Sequence, residues 1–65
     1  MQLTINGDRR AITATRIDTM LRELEYEGRH YAIAVNHAVV PRARWAETEL
    51  KDGDAVEILT PRQGG

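Results

Sequence analysis

Only one stretch of this chain has the spacing of apolar residues that an amphipathic α-helix requires, and this limits the folds it can adopt. Ile17, Met20, Leu21 and Leu24 stand at positions i, i+3, i+4 and i+7, so they form a single apolar stripe. One stripe can be buried against one surface only. The rest of the chain must supply that surface from strands, which predicts one helix packed on one face of a sheet.

The ends of this helix carry recognisable signals. Thr15 is the predicted N-cap, and Asp18 three residues later places an acidic side chain in the first turn, where the helix dipole favours it. Gly28 is the predicted stop. Three glutamates at the end of the stripe and just after it are expected to face water or to lie in the helix exit: Glu23, Glu25 and Glu27.

A hairpin is predicted before the helix. Leu3 and Ile5 alternate with polar residues, as in a half-buried strand. The pair Asn6-Gly7 then gives the strongest short signal for a hairpin turn, because both residues accept a positive φ. Residues 9–13 are the predicted returning strand, with Ile12 as its clearest apolar residue.

Three further strands are predicted after the helix. Residues 31–36 are nearly all apolar or small, and after a turn at Asn36-His37 a short partner strand at Val39-Val40 ends at Pro41. Residues 42–49 are expected to be irregular, with Trp45 at an edge of the core. A tight turn at residues 52–54 leads into the last strand, residues 55–60, in which Val56 and Ile58 face inward and Leu59 faces away from the helix.

The predicted order is therefore strand, strand, helix, strand, short strand, strand, which is an α+β arrangement. The matching strand and helix periods predict one core between helix and sheet. Its expected members are Leu3, Ile5, Ile17, Met20, Leu21, Leu24, Ile33, Val35, Val56 and Ile58.

Composition excludes several classes of function. Nine basic and ten acidic residues leave no basic stripe for nucleic acid, and the absence of cysteine excludes disulfides, thiolate chemistry and cysteine-based zinc sites. No apolar segment approaches the roughly 20 residues that span a bilayer, and the first residues do not resemble a signal peptide. We expect a cytoplasmic protein that binds neither nucleic acid nor membrane.

No constellation of side chains indicates an enzyme. His30 and His37 lie before a strand and in a turn, and neither has a carboxylate at helical spacing to form a metal pair. Asp52 and Asp54 flank a glycine, which is ordinary turn chemistry. Serine is absent, and a chain of 65 residues has little room for a cleft. We therefore expect neither a catalytic residue nor a bound metal or cofactor.

The diglycine at the end of the sequence is the one feature that indicates chemistry. Gly64 and Gly65 remove every side chain near the terminal carboxylate, so that the backbone can lie in a narrow channel. Residues 61–65 can reach about 17 Å when extended, at roughly 3.3–3.6 Å per residue. The dipeptide alone is also consistent with an ordinary frayed terminus, but it follows directly on a predicted core strand.

The whole chain resembles the ubiquitin-like β-grasp sulfur carriers, most closely the thiamine-pathway carriers of the ThiS family. The residues that carry the resemblance are Asn6, the runs Ala34-Val35-Asn36 and Val39-Val40-Pro41-Arg42, Trp45, Leu50, Asp52-Gly53-Asp54, Val56-Glu57-Ile58 and Gly64-Gly65. The resemblance implies a β-grasp domain over residues 1–60, with a mixed sheet of four to five strands crossed by one helix. Residues 61–65 would then form a flexible tail.

The resemblance also implies a cycle of reactions on partner enzymes. A ubiquitin-activating-type adenylyltransferase would use ATP to adenylate Gly65, and a sulfur-donating enzyme would supply the sulfur of a C-terminal thiocarboxylate. Thiazole synthase would then accept that sulfur for the thiazole ring of thiamine. Gly64 and Gly65 would thread into the partner, and we expect Leu59, Arg62 and Gln63 to contact it.

Two alternatives share the fold. The chain could carry sulfur for molybdopterin or another sulfur-transfer pathway, or it could be a ubiquitin-like module that is conjugated to proteins or only binds them. The diglycine separates all of these from a small enzyme, because its removal would abolish carrier function while leaving the fold.

Overall fold

The computed structural model describes residues 1–26 and 31–60, and these form a five-stranded mixed sheet with one α-helix and one 3₁₀ helix. The elements in chain order are β1 (Gln2–Ile5), β2 (Asp8–Ala11), α1 (Ile17–Glu23), β3 (Ala32–Val35), β4 (Ala38–Val40), the 3₁₀ helix (Arg42–Glu47) and β5 (Ala55–Leu59). The α+β class and the strand number are as predicted.

The last strand lies at the centre of the sheet, whose order is β2-β1-β5-β3-β4. It runs parallel to β1, with Thr4 opposite Ala55 and Ile5 opposite Val56. Its pairing with β3 is antiparallel and extends from Val35↔Val56 to Ala32↔Leu59. The two outer pairs, β1–β2 and β3–β4, are antiparallel hairpins. The strand that precedes the diglycine is thus held on both sides.

Both predicted hairpin turns are present, and both have two positive φ values, which the sequence predicted for Asn6-Gly7. Asn6 and Gly7 have φ of 51° and 87°, and Asn36 and His37 have φ of 52° and 72°. Turns with two positive φ values match the twist of the strands that they join, and this explains why two-residue loops suffice here.

The helix is shorter than its sequence signals indicate, and the predicted N-cap is wrong. Arg16 stands at the N-cap position without a side-chain cap, and the Asp18 carboxylate accepts the N–H of Thr19 instead. Thr15 is unavailable because its carbonyl accepts the N–H of Leu50, 2.8 Å away, which holds it in an extended bridge to the segment before β5.

At its other end the helix stops at Glu23, with Leu24 as the C-cap. Glu25 takes a positive φ of 66°, and the N–H of Tyr26 reaches the carbonyl of Leu21 at 2.9 Å. Together with the bond from Glu25 N–H to the carbonyl of Arg22 this forms a Schellman ending. The predicted stop at Gly28 lies outside the described residues.

One core fills the space between the sheet and α1, largely as predicted. Eight of the ten expected residues are buried, and Leu24 and Val35 are half-buried and pack against it. The list of expected core residues omitted Ile12 and Leu50, two large side chains of this cluster, whereas the predicted position of Trp45 at the core is confirmed.

Trp45 lies on the 3₁₀ helix, where the sequence predicted irregular structure. Its indole N–H donates to the carbonyl of Val40 at 2.9 Å, and its ring is buried. Burial of this ring and of Leu50 holds the segment between β4 and β5 against the core. Within residues 1–26 and 31–60 no helix is long and apolar enough to cross a bilayer.

Candidate functional site

The side chains of β5 alternate between the core and the open face of the sheet. Val56 and Ile58 are buried beneath α1, whereas Glu57 and Leu59 point to the opposite side. Leu59, the last residue of β5, is 59% exposed, and a single exposed leucine is common on protein surfaces. The predicted orientation of Leu59 is confirmed.

Leu59 does not lie alone on this face. Cross-strand pairing places Ala32 opposite Leu59 and Ala34 opposite both Glu57 and Val39. Val39 is 75% exposed, the largest exposure among the large apolar side chains in the described ranges. These four apolar residues, Ala32, Ala34, Val39 and Leu59, form what we call the open-face strip.

The strip has small residues at its centre and larger ones at its two ends. Of the two alanines of β3, Ala32 is exposed and Ala34 is buried, so the exposed apolar surface of the strip comes from Ala32, Leu59 and Val39. Glu57 lies opposite Ala34 of the strip, and within the described ranges no basic group forms an ion pair with its carboxylate. Sequence reasoning found Leu59 but missed Val39, although the alternation of β4 against Ala34 would have indicated it.

The remaining predicted site residues lie beyond the part of the chain that the structure describes. Thr60 is the last described residue, and Arg62, Gln63, Gly64 and Gly65 follow it. The geometry therefore brings the open-face strip to the position where the chain leaves the sheet. The roles assigned to the four tail residues stay predictions.

The two aspartates of the turn before β5 are structural. Asp52 accepts the N–H of Gln2 at 2.6 Å, and Asp54 accepts the N–H of Lys51 at 2.9 Å and an amide hydrogen of Asn36 at 3.0 Å. They hold the turn to its neighbours and do not form a pair of acids. His37 is exposed in its turn, and His30 lies outside the described residues.

A groove of about 470 Å³ lies on the helix side of the molecule, between α1 and the 3₁₀ helix. Its polar lining comes from Asp18, Arg22, Tyr26 and Arg42, above the apolar side chains of Leu21 and Trp45. In the described ranges no three acidic or histidine side chains are grouped as metal ligands.

Comparison with known proteins identifies the family. The model of the ThiS family matches residues 3–65, a range that includes both terminal glycines. The sulfur carrier protein ThiS of Escherichia coli is 29% identical over 66 residues, with both chains covered in full. A crystal structure of the thiamine biosynthesis protein ThiS from Geobacter metallireducens superposes with a TM-score of 0.86 at 30% identity, again over both whole chains.

A third relative is a longer protein. A thiazole synthase of Paramagnetospirillum magneticum is 35% identical over 66 residues. The match takes in all of this chain but only 20% of that protein, so the chain spans about a fifth of the length of this relative.

Proposed function

The chain belongs to the ThiS family, the sulfur carriers of thiamine biosynthesis, and we propose that it carries sulfur on the terminal carboxyl group of Gly65. The observation that supports this assignment is the family match through residue 65 together with the diglycine at 64–65. A chain that works this way is a substrate of partner enzymes and supplies no catalytic group of its own.

The chemistry begins with activation, because a free carboxylate is a poor electrophile. The carboxylate of Gly65 attacks the α-phosphorus of ATP, pyrophosphate leaves, and a mixed anhydride with AMP remains. A sulfur nucleophile at the oxidation level of sulfide then attacks the acyl carbon and expels AMP. The product is a thiocarboxylate, in which one oxygen of the carboxylate has been replaced by sulfur. ATP is a substrate of the partner adenylyltransferase in this scheme, and we expect the cycle to run in the cytoplasm.

The body of the domain has to be held while its terminus reacts. We assign this role to the open-face strip, because Leu59 is exposed and lies two residues before residue 61. An exposed apolar side chain of this size gains free energy when a partner covers it, at roughly 25 cal/mol per Å² of apolar surface buried. Arg62 and Gln63 would then contact the rim of the channel that admits Gly64 and Gly65.

Thiazole synthase is the proposed acceptor of the sulfur. A relative named thiazole synthase contains a region that matches this whole chain within one longer polypeptide. A carrier-like region joined to its acceptor would be held at a high effective concentration, which supports a functional partnership between the two.

Intact-mass measurement tests the proposal directly. The full chain is incubated with a candidate adenylyltransferase, ATP and a sulfur-donating enzyme, and the expected product is heavier by the difference between one sulfur and one oxygen atom. A variant that lacks Gly64 and Gly65 is the control, and it should fold normally and gain no mass. An unchanged mass of the full chain in the presence of an active enzyme would contradict the proposal. Covalent addition of the chain to other proteins would instead support a ubiquitin-like modifier.

A further inference from the structure

The end of β5 has a backbone partner on one side only. On the β3 side, pairing continues to Ala32↔Leu59. On the β1 side, the ladder stops at Ile5↔Val56, and the last backbone bond runs from the N–H of Asn6 to the carbonyl of Val56 at 2.9 Å. The chain then turns away from the sheet at Asn6-Gly7 and does not reach the next residue pair.

The side chain of Asn6 takes the place of the missing strand residue. Its Oδ1 accepts the N–H of Ile58 at 2.8 Å, and its Nδ2 donates to the carbonyl of Ile58 at 3.2 Å. A side-chain amide offers the same donor and acceptor as a peptide group, so these two bonds extend the parallel ladder to Ile58. Both bonds are partly buried and join residues 52 positions apart in the chain.

Asparagine suits this position for two reasons. Its φ of 51° lies in the left-handed region, which asparagine enters more readily than most residues. Its short amide supplies a donor and an acceptor together. Glycine could adopt this backbone conformation but has no side-chain amide. Aspartate would keep the oxygen that accepts the N–H of Ile58 but would lose the N–H that donates to the carbonyl of Ile58. The residue thus combines a turn conformation with a contact to the last strand.

We propose that Asn6 is a positioning residue for the carrier terminus: its amide clamps Ile58 and so fixes the point at which the chain leaves the sheet. This inference rests on the function proposed above. Only Leu59 and Thr60 lie between the clamped residue and residue 61. If the end of β5 frayed, Leu59 and the residues after it would lose their fixed position relative to the sheet, with about 3.3 Å of unconstrained chain for each released residue. Reacting groups held in place gain a large rate advantage, and a displacement of about 1 Å can cost as much as 100-fold.

The chain offers a matched control at the opposite end of the same strand. Asn36 has a φ of 52°, its Oδ1 accepts the N–H of Ala55 at 3.0 Å, and its Nδ2 donates to Asp54. It is also the first residue of a two-residue turn. Replacement of either asparagine by glycine keeps the turn conformation and removes two side-chain hydrogen bonds. The two variants differ in whether the start or the end of β5 is released.

The test compares Asn6→Gly and Asn36→Gly in the full chain with the adenylyltransferase and ATP, and measures kcat and KM for pyrophosphate release. We expect Asn6→Gly to lower kcat by about 10- to 100-fold and to raise KM by a smaller factor, because Leu59 belongs to the released strand end whereas Val39 of the open-face strip does not. We expect Asn36→Gly to leave kcat unchanged. Hydrogen exchange should show faster exchange of the Ile58 amide only in Asn6→Gly.

Three results would overturn the inference. A wild-type kcat in Asn6→Gly despite faster exchange of the Ile58 amide would show that the clamp does not position the terminus. An equal loss of kcat in both variants would show a general effect of stability. Failure of the wild-type chain to be adenylated would overturn the proposed function, and the positioning role with it. If Asn6→Gly does not fold, Asn6→Asp removes only the donor, and an unchanged kcat there also contradicts the clamp.

Discussion

The carboxylate of Glu23, in the last turn of α1, accepts the backbone N–H of Thr13 with both oxygens, at 3.2 and 3.1 Å. It also accepts the hydroxyl of Thr13 at 3.0 Å and the N–H of Ala14 at 2.9 Å. The helix exit is thereby tied to the segment that joins β2 to α1. Glu23 is exposed to water as the sequence predicted, but it is also bonded in a way that local patterns do not reveal.

These bonds predict a pH dependence of stability. The N–H of Thr13 is the main cause that holds the pKa of Glu23 below its usual value, and the Thr13 hydroxyl and the Ala14 N–H act in the same direction. A lowered pKa in the folded state stabilises the fold at pH values above the unfolded pKa, and this stabilisation is lost as the pH falls through the folded pKa. Glu23→Gln should therefore lower the free energy of unfolding at pH 7 and have a smaller effect in acid.

Urea unfolding at pH 7 and at acidic pH measures this difference. Glu57→Gln is the control, because the carboxylate of Glu57 lies on the open face and accepts no backbone N–H in the described ranges. A difference between wild type and Glu23→Gln that stays constant over the whole pH range would contradict the assignment.

His37 occupies a position that favours glycine. It is the second residue of the β3–β4 turn and has a φ of 72°, whereas the equivalent residue of the β1–β2 turn is Gly7. The left-handed conformation costs a side chain roughly 1–2 kcal/mol, and glycine loses about 0.5–1 kcal/mol through its greater chain entropy. We expect His37→Gly to stabilise the domain by about 0.5–1 kcal/mol, the difference between these two effects.

Thermal and urea unfolding of His37→Gly and His37→Ala measure this effect. The alanine variant keeps the strained φ and should not be stabilised. Both should be adenylated as the wild type is, since His37 lies in an exposed turn and is assigned no role. A loss of adenylation in both variants would show that the imidazole has a function.

The variant Leu21→Ala tests the packing of the core beneath α1. The side chain of Leu21 is only 6% exposed and packs in the main cluster, so Leu21→Ala should lower the free energy of unfolding by about 2–3 kcal/mol. The lower part of the usual range is expected because Leu21 also borders the groove beside α1, where the site can relax. Arg22→Ala, at the exposed neighbouring position, is the matched control. Equal unfolding midpoints for the two variants would contradict the burial of Leu21.

The features that the sequence predicted correctly are those determined by residues close together in the chain. The turn at Asn6-Gly7 and the stripe from Ile17 to Leu21 depend on neighbouring residues only, and both were found as predicted. Trp45 is buried because its indole reaches the carbonyl of Val40 and its ring meets the core, which are tertiary contacts. The N-cap moved from Thr15 to Arg16 because Leu50, far along the chain, binds the Thr15 carbonyl.

The same limit applies to the candidate site. Alternation along the last strand is sufficient to predict that Leu59 faces outward, because the side-chain period of a strand is two. The strip of which Leu59 is a part requires the register of three strands, and the bonds from Asn6 to Ile58 bridge 52 residues. A single sequence has no local signal for either of them.

Leu59 is the residue by which the docking surface can be tested. The side chain lies on the open face at one end of the open-face strip and takes no part in the core. Truncation of an apolar anchor at an interface typically costs about 1–3 kcal/mol, so Leu59→Ala should weaken binding to the adenylyltransferase by that amount. Leu59→Glu should weaken it at least as much, because it would bury a charge without a partner.

Calorimetric titration of the enzyme with each variant measures the affinity, and urea unfolding of the same samples reports on the fold. Val39→Ala, at the other end of the open-face strip, should also weaken binding. That result would show that the docking surface extends from Leu59 to Val39. Arg9→Ala is the control. Arg9 lies on the same face of the sheet, since it pairs with Thr4, but its strand β2 is at the opposite edge of the sheet. This variant should leave the affinity unchanged. If Leu59→Ala binds as tightly as Arg9→Ala while both remain folded, Leu59 is not part of the interface, and the partner must hold the domain by another surface.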